Sequence, residues 1–324
     1  MSRKLLLCIL VTLSVIGLSV AFSYGEKYPE RPVEIMVGYT AGSTFDLVAR
    51  VVADLGSKYL GQPLVVVNKP GAGGSLTAAE VISSKPDGYK LVLASTFFFA
   101  TTTKTQKVPF DPYHLVPLVN FIELKSGILV KGDSRWKTLN DLLEYGRQNP
   151  GKLKWAHVGR GLSNHLYGSL MFRKAGIKTI DVPYKGNPEL ITALLGGHVD
   201  ALFASYGPVK DHVKVGRIRC LATMSDRRYS DPSDVPCVAE LGFAELGSLL
   251  PLAGMYVHKD APEEVKKVLS DTFRKTCASP EFKRGIEKLG EEPRFEEPEF
   301  TNQAIKKAEE NFVPLLKELG LYVK

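Results

Sequence analysis

Apolar residues in this chain fall in short runs separated by stretches with helical spacing. Val33-Glu-Ile-Met-Val37, Leu64-Val-Val-Val67 and Leu91-Val-Leu-Ala94 have strand length and are bounded by Gly, Pro, Asn or Asp. Between the first two, the stretch from Thr44 sets Leu47, Val48 and Val51 on one face of a helix. Continued along the chain, the pattern predicts strands near 33–38, 64–67, 90–95, 115–123, 127–131, 153–157, 179–183, 199–203 and 218–222. It predicts helices at 44–60, 75–84, 138–148, 163–175, 188–195 and 207–214. This βαβα rhythm implies an α/β fold with parallel-rich sheets flanked by helices on both faces. After Ala261 the rhythm stops. Helices are expected at 261–278, 280–289 and 297–319, each with a Pro near its first turn.

The N-terminus has a different pattern. Met1-Ser-Arg-Lys4 is basic, Leu5 to Val20 carries no charge, and Ala21, Ser23 and Gly25 offer small residues for cleavage. That is the layout of a secretory signal, with an uncleaved anchor as the alternative. Residues 1–25 are expected to be removed and the mature chain to be periplasmic. The net charge of +7 falls to +5 once Arg3 and Lys4 leave with the leader. The excess is spread out, with no basic block and no aromatic interleaving, so nucleic acid is not the expected partner. Of the remaining cysteines, Cys277 reads as a buried helix residue. Cys220 and Cys237 can pair in an oxidising compartment, a point that spacing leaves open. The histidines are scattered without zinc-ligand spacing, and neither a metal nor a cofactor is expected.

The most informative stretch is Pro32 to Arg50. A strand runs into the small-residue turn Gly38-Tyr-Thr-Ala-Gly-Ser43 and then into a helix. Such a turn leaves backbone N–H groups and the positive end of the helix dipole facing whatever sits above it, which suits an anion. On the residues alone an ordinary βα connection is the favoured reading, because α/β proteins contain many such turns. Ser43-x-x-Asp46 also has the form of a capping box, the favoured reading for Asp46.

Further motifs narrow the choice. They are Tyr28-Pro-Glu-Arg-Pro32, Ala41-Gly-Ser-Thr-Phe-Asp46, Val67-Asn-Lys-Pro-Gly-Ala-Gly-Gly74 and Pro86-Asp-Gly-Tyr89. Val182-Pro-Tyr-Lys-Gly186, Leu194-Leu-Gly-Gly197 and Asp234-Val-Pro-Cys-Val-Ala-Glu-Leu-Gly242 follow in order. With these the chain resembles, from about Tyr28 to Leu319, the extracytoplasmic solute receptors of tripartite tricarboxylate transporters, the Bug family. The resemblance implies a two-domain periplasmic binding protein fold with the ligand in the cleft between domains. One domain would comprise residues 26–124 and 250–324, including the tail helices, and the other 125–249. Two crossings, near 124–126 and 249–253, would form the hinge.

The resemblance also implies site residues. The first turn, Tyr39, Thr40, Ala41, Gly42, Ser43 and Thr44, would wrap a ligand carboxylate through backbone N–H groups, with Asp46 beside it and Ser95 nearby. The opposite wall would come from His157-Val-Gly-Arg-Gly-Leu-Ser-Asn-His165, chiefly Gly159, Arg160, Gly161, Ser163 and Asn164, with Tyr184. Arg160 stands where relatives carry a small or uncharged residue. It is either a counter-ion for a second carboxylate or a solvated loop arginine. Ala204 and Ser205 stand where many relatives carry Asp-Asn, which counts against amino-acid ligands and favours plain carboxylates. The implied partners are a small organic acid (a di- or tricarboxylate or an aromatic acid) and the membrane subunits of a transporter. A sensor role shares the same ligand chemistry. No nucleophile elbow, phosphate loop or dinucleotide fingerprint points to an enzyme, which stays the less favoured alternative.

Mature protein from a periplasmic extract is expected to begin between Phe22 and Glu26, as read by intact mass. Full-length chain confined to the membrane fraction would support the anchor instead.

Overall fold

The computed structural model describes residues 28–323, so the leader lies outside the described residues. The strands form two sheets. The first has the order β11-β4-β10-β3-β1-β2, built from β1 (Val33–Val37), β2 (Leu64–Asn68), β3 (Lys90–Ser95), β4 (Leu115–Glu123), β10 (Leu252–His258) and β11 (Glu292–Glu296). The second has the order β7-β6-β8-β5-β9, from β5 (Ser126–Lys131), β6 (Lys154–His157), β7 (Ile180–Pro183), β8 (Ala201–Ser205) and β9 (Ile218–Thr223).

Both sheets are mixed rather than parallel throughout. In the first, β1 is parallel to β2 and β3, while β10 runs antiparallel to β3 and β4, and β11 to β4. In the second, β6 is parallel to β7 and β8, and β5 is antiparallel to β8 and β9. The antiparallel members are the strands next to the crossings: β5, which enters the second sheet after the two-residue link Leu124-Lys125, and β10 and β11, which follow the return to the first. The chain returns through Pro251, whose carbonyl accepts from Leu124 N–H at 3.0 Å, and the two crossings lie side by side.

Helix α1 (Thr44–Leu60) buries Val48, Ala49, Val52 and Ala53. They pack with Leu269 and Phe273 of the tail helix Glu263–Ala278. Leu47, expected on the buried face, is 37% exposed, because the stripe is centred one residue further on. The last helix, α2 (Pro298–Glu318), serves both sheets. Ile305 packs with Met36 and Tyr256 of the first, while Phe312, Leu315 and Leu316 pack with Leu166, Tyr167 and Leu170 on the second. Phe97, Tyr167 and Phe312 meet where these cores join, with ring centroids 5.4–5.8 Å apart.

A buried charge cluster flanks the crossings. Arg294 on β11 bonds Glu123 on β4 at 2.8 Å, Asp226 beyond β9 at 2.8 and 3.1 Å, and Glu296 at 2.9 Å. Tyr229 donates to Glu123 at 3.2 Å. Lys125 reaches Glu292 at 3.2 Å. Desolvation raises the pKa of Glu123 against the pull of Arg294. Cys220 and Cys237, which spacing allowed to pair, are both buried free thiols. Burial pushes Cys220 up to about 12.

Arg294→Met leaves Glu123 buried without its cation, and is expected to cost about 3–5 kcal/mol in urea unfolding, the range for a broken buried pair. A loss below about 1 kcal/mol would mean that water reaches the cluster.

Candidate functional site

Two helix starts face one cavity of about 240 Å³ beside the crossings. Ser43, Thr44 and Phe45 line one side, Ser163 and Asn164 the other. Lys125, Ser126, Ser205 and Glu291 complete the floor with Leu124 and Pro251. Of the residues that the resemblance implied, Ser43, Thr44, Ser163, Asn164 and Ser205 are brought together here. Phe45, Ser126, Lys125 and Glu291 were not anticipated.

The first wall is shaped by Asp46. It is 1% exposed and accepts from Gly42 N–H at 2.8 Å, Asn68 Nδ2 at 3.0 Å and Arg50 Nε at 3.0 Å. Burial alone would raise its pKa, but the bonds from Arg50, Gly42 and Asn68 outweigh that and hold it below the usual value. Asp46 N–H donates to Ser43 Oγ at 3.3 Å. Asp46 is therefore a brace for the turn. The capping box is half formed, since the carboxylate takes Gly42 N–H in place of Ser43 N–H, and Asp46 is not among the residues lining the cavity. Gly42 N–H is spent on Asp46 and Ser43 N–H on Thr40 O. The first helical N–H groups, of Thr44 and Phe45, have no partner among the described residues, which moves the anion-facing donors from the turn to the helix start. Gly42 has φ +82°, a left-handed backbone conformation that favours glycine, and no protein atom lies within 4 Å of where a Cβ would stand.

The remaining first-wall candidates lie outside the cavity. Thr40 and Ala41 are exposed. Tyr39 stacks on Phe45 at 4.5 Å. Ser95 accepts from Phe98 N–H at 3.3 Å and faces a separate crevice that Tyr39 also lines.

The second wall hangs on Asp181. Arg160 grips it with Nε at 2.9 Å and Nη2 at 3.2 Å, and His157 Nε2 lies 3.3 Å away. Arg160 is thus paired within the protein and lies outside the cavity lining. Gly159 and Gly161 take φ +97° and +80°, which shape the turn, and Gly161 N–H donates to His165 Nδ1 at 3.1 Å. The helix Ser163–Lys174 is capped by Leu162 without a side-chain bond, so Ser163 is its first residue and not its cap. Tyr184 is half-buried and packs on the second sheet, and Ala204 is 1% exposed within the same core.

His157, His165 and Asp181 have donor atoms within 4.8 Å of one another, a grouping that the scattered sequence positions hid. The bonding argues for a brace rather than a metal centre. Arg160 covers both Asp181 oxygens, and His165 Nδ1 accepts the hydrogen bond from Gly161 N–H, leaving Nε2–H directed at Ser169 and Asp181. Desolvation lowers the pKa of His157 despite Asp181. Desolvation and then the charge of His157 hold His165 down to about 4. Burial would raise Asp181, but the bonds from His157 and Arg160 hold it low.

A larger surface hollow, about 640 Å³, lies between Arg31, Asp87, Tyr89 and Pro262. It sits at the starts of β1 and β3, whereas α/β sheets bind ligands beyond strand C-termini.

Because the folded pKa of His165 lies below the unfolded value of about 6.5, its neutral form contributes stability above that pH, which is lost as pH falls toward about 4. His165→Asn, which keeps an acceptor for Gly161 N–H, is expected to flatten the melting temperature over this window. An unchanged profile would contradict the buried neutral imidazole.

Residues 48–321 match the family model described as the tripartite tricarboxylate transporter family receptor. A Cupriavidus necator protein described as the UPF0065 protein in the gbd 5′ region is 33% identical over 306 residues, 93% of this chain and 91% of its own length. A ligand-free TctC solute binding protein from Polaromonas superposes with a TM-score of 0.81 at 27% identity, over 90% of this chain and 99% of its own. The periplasmic binding protein BugD gives 0.71 at 28% identity, over 92% of this chain and 100% of its own. With its two sheets, its paired crossings and the cavity between two helix starts, the chain belongs to the tripartite tricarboxylate transporter receptor family.

Proposed function

We propose that this receptor captures a small organic carboxylate in the periplasm and delivers it unchanged to the membrane subunits of a tripartite tricarboxylate-type transporter. The carrying observation is that two helix starts, at Thr44-Phe45 and Ser163-Asn164, open onto one cavity ringed by hydroxyls. Donors of this kind stabilise an anion without a cation of their own. Each charge-assisted bond contributes about 1.5–3 kcal/mol, and micromolar affinity needs about 8 kcal/mol net, so four or five such bonds are enough after ordering costs.

The ligand contacts are assigned to the N–H groups of Thr44, Phe45, Ser163 and Asn164 and the side chains of Ser126, Ser163, Asn164 and Ser205. Residues 26–124 with 250–324 act as one domain and 125–249 as the other, closing about the two crossings. Helix α2 packs on both sheets, so the two domains share part of their core. Among the described residues the cavity presents no nucleophile paired with a base, which disfavours catalysis. A sensor partner in place of a transporter would leave the cleft chemistry unchanged.

In a thermal-shift panel of mono-, di- and tricarboxylates, at least one acid is expected to raise the melting temperature in proportion to the logarithm of its concentration. The acid should be recovered intact after incubation. Turnover, or no shift with any acid, contradicts the proposal.

A further inference from the structure

Glu291 is a carboxyl group in a cavity otherwise suited to carboxylates. It is 4% exposed, lines the floor beside Thr44, and accepts from Lys125 N–H at 2.9 Å. Its second oxygen has no hydrogen-bond partner among the described residues by strict geometry, although the Thr44 hydroxyl lies near enough to favour the charge. The surrounding ions are already committed. From the β4–β5 link, Lys125 Nζ turns away to Glu292 at 3.2 Å and to Asp231 O at 2.8 Å. Lys210, which passes near Gly290, pairs with Asp231 at 3.0 Å. Thr44 brings no charge. Among the described residues, no uncommitted cation lines this floor.

We infer that an organic acid enters this cleft together with one proton, which rests on Glu291 and is donated as an O–H hydrogen bond to the ligand's carboxylate. The inference rests on the carboxylate-receptor reading and specifies how the site treats charge. The proton comes from solvent and adds to the Glu291 carboxylate, and no other bond is made or broken. Two adjacent carboxylates in a low-dielectric floor cannot both stay ionised at small cost, and one takes a proton. Glu291 is predisposed to be that one. Burial pushes it up to about 7, against the opposing Lys125 N–H, the Lys125 charge and Thr44. A bound anion raises it further. A neutral Glu291 also turns a repulsive group into a donor, which explains how an acid is tolerated at the floor of an anion site.

The test uses malate and adipate as probes, with isothermal calorimetry from about pH 6 to about pH 8.5 in buffers of different ionisation enthalpy. Affinity is expected to be level near pH 6 and to fall about tenfold per pH unit above about 7, with roughly one proton taken up per ligand there. Glu291→Gln keeps a donor and loses the charge, so it should bind near the wild-type acid-pH value across the range with no proton uptake. Its melting temperature without ligand checks the fold. A pH-independent wild-type affinity without proton uptake would overturn the inference. So would a well-folded Glu291→Gln that loses both acids, or glutamate binding that depends on Glu291, since either makes the ionised group an acceptor for the ligand. If no acid binds at any pH, the receptor reading falls and this inference with it.

Discussion

A cleft that holds an anion by backbone N–H groups works only if those groups are fixed before the ligand arrives. Here each wall is fixed by one aspartate. Asp46 ties the first turn to Asn68 and Arg50, and Asp181 ties the second to Arg160 and His157. Both carboxylates are turned away from the cavity and bonded enough to stay ionised. The negative charge stabilises each turn's donors without competing for the ligand's position. Preorganisation of this sort lowers the ordering cost of binding, so a few neutral donors suffice.

The floor depends on topology. Because β4 passes to β5 through two residues, the end of β4, the start of β5 and the return through Pro251 converge at one point. Arg294, Glu123 and Asp226 tie that point across the sheets. Lys125 belongs to the same region, with its stem in the cavity and its ammonium among acids outside it.

Much of this was legible from sequence. The strand–turn–helix unit at 33–60 carries clear hydrophobic periodicity, that at 153–174 is marked by its Gly-rich turn and is buried nearly all round, and both helix starts line the cavity. The strands at 252–258 and 292–296 were not foreseen. The first is a continuous buried run with Gly254 at its middle, where a Cβ would come within 2.3 Å of Val119 O, so its glycine reflects close strand packing and not a linker. The second, Glu-Pro-Arg-Phe-Glu, looks like a solvated loop. It forms because β4 offers an open edge, where Pro293 is tolerated, and because Arg294 finds buried acids there. Glu291 was hidden for the same reason. Nothing in Gly290-Glu-Glu-Pro293 announces burial, which is conferred by the crossings packed over it. Arg160 was legible as unusual, but its partner Asp181 lies on the neighbouring strand and only register reveals it.

The central claim is that one carboxylate ligand contacts both helix starts at once. It is tested most directly by following backbone amide NMR signals while malate or adipate is titrated into the protein. The account predicts that the amides of Thr44, Phe45, Ser163 and Asn164 shift together with a single dissociation constant, moving downfield as each N–H bonds the anion. Shifts confined to one wall, or gathered around the hollow between Arg31 and Tyr89, would contradict it.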